Sequence, residues 1–255
     1  MGKCKIISAF RGKWDKKGKW QSIKSLPVLD GEKTKFKVFR NWQGDAFRQL
    51  SDKRYRILNA PTGSGKSLLM IALAERDYEK EAVRFRRKSE VVRTKVIITV
   101  PQNAIGEGYD SRFNYRMGKG KANHSVSIEE VLCHGINSVA AIGNFLKGGK
   151  PDIVGRHILV CTHSALREFY NGLKKEERAE LFRDTILWVD ESHHLMCGEF
   201  DEEGEIKEVA NKLGKVVKFF LENDLSVNLA TATFFRSDGR GLIPEEERHL
   251  FKGAS

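Results

Sequence analysis

Arg56-Ile57-Leu58-Asn59-Ala60-Pro61-Thr62-Gly63-Ser64-Gly65-Lys66-Ser67 is a short apolar run that breaks into a glycine-rich turn ending in Lys-Ser. Ile57 and Leu58 have the character of a buried strand. Leu68-Leu69-Met70-Ile71-Ala72-Leu73-Ala74, which follows, has that of a helix packed against it. Gly63 and Gly65 remove Cβ atoms that would hold the backbone away from a phosphate, so successive N–H groups and the helix start can face an anion. In the pattern Gly-x-x-x-x-Gly-Lys-Ser/Thr the lysine reaches the β- and γ-phosphates and the hydroxyl ligates Mg²⁺; those roles fall here on Lys66 and Ser67. Ala60 stands where the pattern has glycine. A turn that binds nothing is the competing reading of so short a motif, and the flanking strand and helix count against it.

At 255 residues the chain has room for one large α/β domain or two small ones. No run approaches the length of a membrane span and the N-terminus is charged, so a cytoplasmic protein is expected. Cys4, Cys133, Cys161 and Cys197 lack metal-site or disulfide-framework spacing. The formal charge of +11 is what a polyanionic partner such as nucleic acid would select, and equally what a merely basic surface would show.

Outward from the glycine-rich turn, Lys95-Val96-Ile97-Ile98-Thr99-Val100, His157 to Cys161, Thr185-Ile186-Leu187-Trp188-Val189 and Leu225 to Leu229 read as buried parallel strands. Helical spacing at Val139, Ile142, Phe145 and Leu146, and again at Leu166, Phe169, Tyr170 and Leu173, places helices between them. A longer helix is expected through Ile206, Val209, Leu213, Val216, Val217 and Phe220, preceded by the acidic tract Glu199 to Glu208 as loop or helix start. Phe39 to Leu50 reads as an amphipathic helix, and Arg112 to Lys121 as an irregular insertion. Residues 1–35 form a basic extension in which Trp14, Gly18 and Trp20 are compatible with a hairpin, and 36–255 form the α/β domain.

In an open parallel sheet, ligands collect outside the carboxyl ends of the strands. That rule brings Lys66 and Ser67, Asp190 and Glu191, and Thr231 and Thr233 to one crevice. Asp190 is placed to hold Mg²⁺ with Ser67. Glu191 is placed to polarise the water that attacks the γ-phosphate.

Taken together these residues resemble the superfamily 2 helicases and translocases of the DExH type, and most closely the helicase subunits of type III restriction enzymes. Ala60 to Ser67 is similar to motif I, where alanine in first position is common, Asp190-Glu191-Ser192-His193 to motif II, and Thr231-Ala232-Thr233 to motif III. The resemblance implies a RecA-like P-loop NTPase fold with a mainly parallel sheet and helices on both faces. It further implies ATP and Mg²⁺ as cofactors, with Thr62, Gly63, Ser64 and Gly65 in the phosphate loop. Phe39-Arg40-Asn41-Trp42-Gln43 is similar to the segment upstream of motif I, which implies that Gln43 reads adenine with Arg40 nearby. His193 would couple the nucleotide to motif III. Pro101, Gln102, Thr162 and His163 stand where motifs Ia and Ib touch the nucleic-acid backbone.

Members of that family hydrolyse ATP between two RecA-like domains, the second supplying arginines. The chain ends soon after Thr233, so the expectation is the first motor domain alone, with the second RecA-like domain absent and supplied in cis or in trans. Its partner would be nucleic acid, with the sequence open between DNA and RNA and the family resemblance tilting toward DNA. The isolated domain should hydrolyse slowly. A nucleic-acid-binding module that uses ATP as a switching ligand is the alternative, and a small-molecule kinase has no need for both Asp-Glu-x-His and Thr-Ala-Thr.

Overall fold

The computed structural model describes residues 5–8, 12–14, 20–22, 37–87, 94–101, 109, 112–116, 123–128, 130–132, 138–147, 157–200, 206–210 and 212–232. The first half contains β1 (Lys5–Ser8), β2 (Gly12–Trp14), β3 (Trp20–Ser22), β4 (Lys37–Val38), α1 (Asn41–Leu50), β5 (Arg56–Asn59), α2 (Lys66–Arg87), β6 (Lys95–Val100), β7 (Arg112–Arg116) and β8 (Asn123–Ser127). The second contains β9 (Glu130–Leu132), α3 (Ser138–Lys147), β10 (Ile158–Thr162), α4 (His163–Gly172), α5 (Lys175–Phe182), β11 (Thr185–Val189), β12 (Met196–Phe200), β13 (Ile206–Ala210), α6 (Lys212–Glu222) and β14 (Ser226–Thr231).

Apolar residues on both sides of a strand require cover on both faces, and the five apolar runs receive it. They lie at the centre of a seven-stranded parallel sheet ordered β1-β5-β14-β11-β6-β10-β9. Side chains alternate across it. Ile57, Ile97, Leu159, Leu187 and Leu229 enter one core with α3, α4 and α6, while Leu58, Ile98, Val160, Trp188 and Ala230 enter the other with α1 and α2. The α/β architecture with helices on both faces is the expected one.

The first turns of α2 are buried all round: Leu68 through Ala74 are without exception shielded from solvent. A helix apolar on every side must be enclosed. The sheet covers one side of α2, and α1 with the β7–β8 ladder covers the rest. The helix that begins at Lys66 is therefore fixed in place.

Two expectations are corrected. Arg112 to Lys121 is not all irregular, since β7 pairs antiparallel with β8 and parallel with β4. Tyr115 is buried, with its ring stacked on Phe39 at 5.3 Å and on His124 at 4.9 Å, and that packing outweighs the glycine and charge content. Within the acidic tract, β12 and β13 form an antiparallel ladder, and the helix starts only at Lys212. Ile206 and Val209 are three apart, a spacing that reads as helical, but they pair across the ladder with Phe200 and Cys197.

At the amino end, β1 pairs parallel with β5 as an edge strand, and β2 pairs antiparallel with β3. Lys175–Phe182, which has no counterpart in the sequence reading, is the short helix α5.

Candidate functional site

The loop between β5 and α2 depends on its glycines. Gly63 and Gly65 have φ of 74° and 92°, a left-handed region that side chains disfavour. A Cβ on Gly65 would also lie 2.7 Å from Gln43 Nε2. Glycine at 65 therefore serves two purposes, a backbone turn and room for a neighbouring amide.

That amide belongs to the first turn of α1. Gln43 is 2% exposed; its Oε1 accepts from Arg40 N–H at 2.7 Å and its Nε2 donates to Gly65 O at 2.8 Å. The Arg40 guanidinium donates to Ser64 O at 3.2 Å and to Gly63 O at 3.5 Å. Three consecutive loop carbonyls are thus held from one side.

Lys66 is 6% exposed, and its ammonium is held by two acceptors, Ala60 O at 3.0 Å and Glu191 Oε1 at 3.4 Å. Asp190 and Glu191 follow β11, which lies one strand away from β5 across β14. Asp190 is 5% exposed, with its N–H bonded to Thr99 O, and its Oδ1 accepts from Glu191 N–H at 3.0 Å. Burial pushes the Asp190 carboxyl up to about 6; Lys66 opposes that shift and Glu191 adds to it. Glu191 itself adopts a left-handed backbone, φ 48° and ψ 47°, unusual for a residue with a side chain.

The second carboxylate oxygen of Glu191 faces His193. Oε2 lies 3.3 Å from His193 Nδ1 and has no hydrogen-bond partner among the described residues. His193 Nδ1 in turn lies 3.3 Å from Thr231 Oγ1 at the end of β14. A contact series Lys66–Glu191–His193–Thr231 therefore crosses three adjacent strand ends.

The structure brings Arg40, Gln43, Gly63, Ser64, Gly65, Lys66, Asp190, Glu191, His193 and Thr231 together. Thr62 is exposed on the loop and Ser67 is half-buried beside Lys66. Pro101 follows β6, and Thr162 ends β10, where its hydroxyl accepts from Ala165 N–H at 3.1 Å and caps α4; His163 is that helix's first residue. Those ends share the sheet edge with the loop. Gln102 and Thr233 lie outside the described residues.

Sequence reasoning missed the partner of Arg56. This arginine is 1% exposed at the start of β5. Its Nη2 donates to Asp77 Oδ1 at 2.6 Å, its Nη1 to Asn228 Oδ1 at 3.1 Å, and its Nε to Leu50 O at 2.8 Å. It ties the strand before the loop to the helix after it. A cation heading an apolar run is the signal that could have been followed. A groove of about 560 Å³ lies instead along α2, lined by Phe47, Arg76 and Tyr115 among others, and takes in none of the site residues.

Asp190 and the Ser67 hydroxyl are hard oxygen donors, and the Asp190 charge is under-compensated where it stands, so this donor set fits Mg²⁺. The chain matches the family described as type III restriction enzyme, res subunit, over residues 35–236. No curated protein matches it. Among the described residues no helix is long and apolar enough to cross a membrane.

Proposed function

The chain belongs to the family of the type III restriction enzyme res subunit, whose members are helicase-like ATPases with a RecA-type domain, and on that premise we propose a specific role for it. It is the first motor domain of an ATP-dependent helicase or translocase acting on nucleic acid, DNA rather than RNA, in the cytoplasm. It turns over ATP when a second RecA-like domain completes the site. The observation that carries this reading is the approach of Lys66 to Glu191, with buried Asp190 between motifs that are remote in sequence.

Each residue has a task its surroundings support. The loop N–H groups and Lys66 bind the phosphates. Ser67 and Asp190 would hold Mg²⁺, which when bound neutralises charge on the β- and γ-oxygens. Glu191, beside the Lys66 ammonium, orients the attacking water and takes its proton. His193 and Thr231 read the state of Glu191 and pass it along β14 towards Thr233. Pro101, Thr162 and His163, at the same edge, contact the nucleic-acid backbone, and Gln102 joins them by its place in the sequence.

The test is ATP turnover by the chain alone, with DNA, with RNA, and with a second RecA-like domain added. The reading expects hydrolysis by these 255 residues to rise when a second RecA-like domain and DNA are present, because an arginine finger supplied from a facing domain raises turnover by a factor of about 10³ to 10⁵. Fast turnover by the chain alone, unaffected by nucleic acid, would count against it.

A further inference from the structure

We propose that the β2–β3 hairpin is a base-stacking platform for single-stranded nucleic acid, with Trp14 and Trp20 taking bases and the lysines around them the adjoining phosphates. The proposal rests on the nucleic-acid part of the reading above and adds a surface ahead of residue 35, where the family match begins. The first observation is charge. Eight lysines and arginines stand against one carboxylate, Asp15, in residues 1–25, which therefore hold +7 of the chain's formal +11. The start of the chain supplies most of the attraction for a polyanion.

The second observation is register. β2 and β3 pair antiparallel with Gly12 opposite Ser22, Lys13 opposite Gln21 and Trp14 opposite Trp20. Residues directly opposite share a face of a ladder, and so do alternate residues along a strand, so one face takes both tryptophans with only Gly12 and Ser22 beside them. Two aromatic planes with small neighbours suit stacked bases of any sequence, and the joining residues Asp15-Lys16-Lys17-Gly18-Lys19 carry three ammonium groups for phosphate. An acidic protein segment would meet the charge but has no planes to match the tryptophans. Among the described strands the hairpin is hydrogen-bonded to no other sheet. A lone two-stranded ladder is marginal in water, so a ligand covering its aromatic face also orders it.

The third observation is place. β1 runs parallel to β5 with Ser8 opposite Asn59, the residue before Ala60, whose carbonyl holds Lys66. Four Cα steps lead from Ser8 to Gly12, a span of at most about 15 Å. The hairpin is therefore tethered at the carboxyl edge of the sheet, and a strand bound to it lies beside the nucleotide crevice.

The experiment is fluorescence anisotropy with single-stranded probes of about 12 nucleotides, within the range one such surface covers. Oligothymidylate and oligouridylate separate DNA from RNA as the source of the strand, and an abasic deoxyribose-phosphate strand of equal length offers the charge without bases. Each is titrated with the unmodified chain, with Trp14→Ala/Trp20→Ala and with Trp14→Phe/Trp20→Phe, all of which keep the charge, and matching urea midpoints show that the variants are folded. The alanine pair should weaken the base-bearing probes by at least about fivefold, the low end for one lost stacked base, and leave the abasic strand within about twofold. Phenylalanine should restore most of the loss. An equal loss on the abasic strand would overturn the platform, because residues 1–25 would then read charge alone, as an acidic protein segment also supplies it. Unchanged affinity for the base-bearing probes would overturn it too and leave the motor reading standing. Failure of the unmodified chain to bind any probe would overturn both.

Discussion

Lys66 Nζ lies 3.4 Å from Glu191 Oε1 although 125 positions separate the two residues. A carboxylate on the ammonium competes with phosphate for the same charge, and the loss of that carboxylate frees Lys66 while removing the base. Glu191→Gln should therefore lower ATP hydrolysis by about 10²- to 10⁴-fold and leave ATP affinity unchanged or tighter. Steady-state turnover in the assembled motor, set beside equilibrium binding, separates the two effects.

Asp190 is ionised at a cost, since burial raises its carboxyl to about 6. Asp190→Asn should stabilise the ligand-free chain by about 1 kcal/mol, as expected when a strained site residue is relieved, and weaken Mg²⁺-dependent ATP binding. Denaturant midpoints with and without Mg²⁺·ATP read both. A chain destabilised by the asparagine would show that the carboxylate is well compensated.

The buried pair Arg56–Asp77 joins β5 to α2. Asp77→Ala leaves a guanidinium without its counter-ion in the interior and should destabilise the chain by about 3–5 kcal/mol. Arg56→Met in the same chain removes the stranded charge and should recover part of that loss. Urea denaturation of the single and double variants tests the coupling.

The nucleotide side of the fold was legible because it is local. Residues 56–74 combine an apolar run, glycines and a wholly apolar helix start in one stretch, and Asp190 follows directly on the apolar run 185–189. The β7–β8 ladder was not legible: what makes Arg112–Arg116 a strand is the burial of Tyr115 between Phe39 and His124, which come from distant positions. The β12–β13 pair was missed for another reason: the three-residue spacing of Ile206 and Val209 reads as helical, and what makes them a strand is pairing with Phe200 and Cys197 across the ladder. At the site, motif reading assigned Gln43 to the base, while its two hydrogen bonds to backbone are features that only coordinates display.

Tyr55 donates its hydroxyl to Asp224 Oδ1 at 2.9 Å, and burial together with that bond pushes the phenol up to about 12. Because the folded value lies above the usual 10, the unfolded chain loses its proton first. The tyrosine's contribution is therefore intact below pH 10 and is lost as pH rises from 10 towards 12. Tyr55→Phe should flatten the decline in stability across that window, measured by denaturation at stepped alkaline pH.

The account stands on a triphosphate site organised by Lys66, and calorimetric titration of Mg²⁺·ATP into the chain and into Lys66→Ala tests it most directly. The prediction is saturable one-site binding to the unmodified chain and a loss of at least about tenfold in affinity for the variant, the scale of a removed charge-assisted contact. Equal binding by both, or none by the unmodified chain in the presence of Mg²⁺, would contradict it.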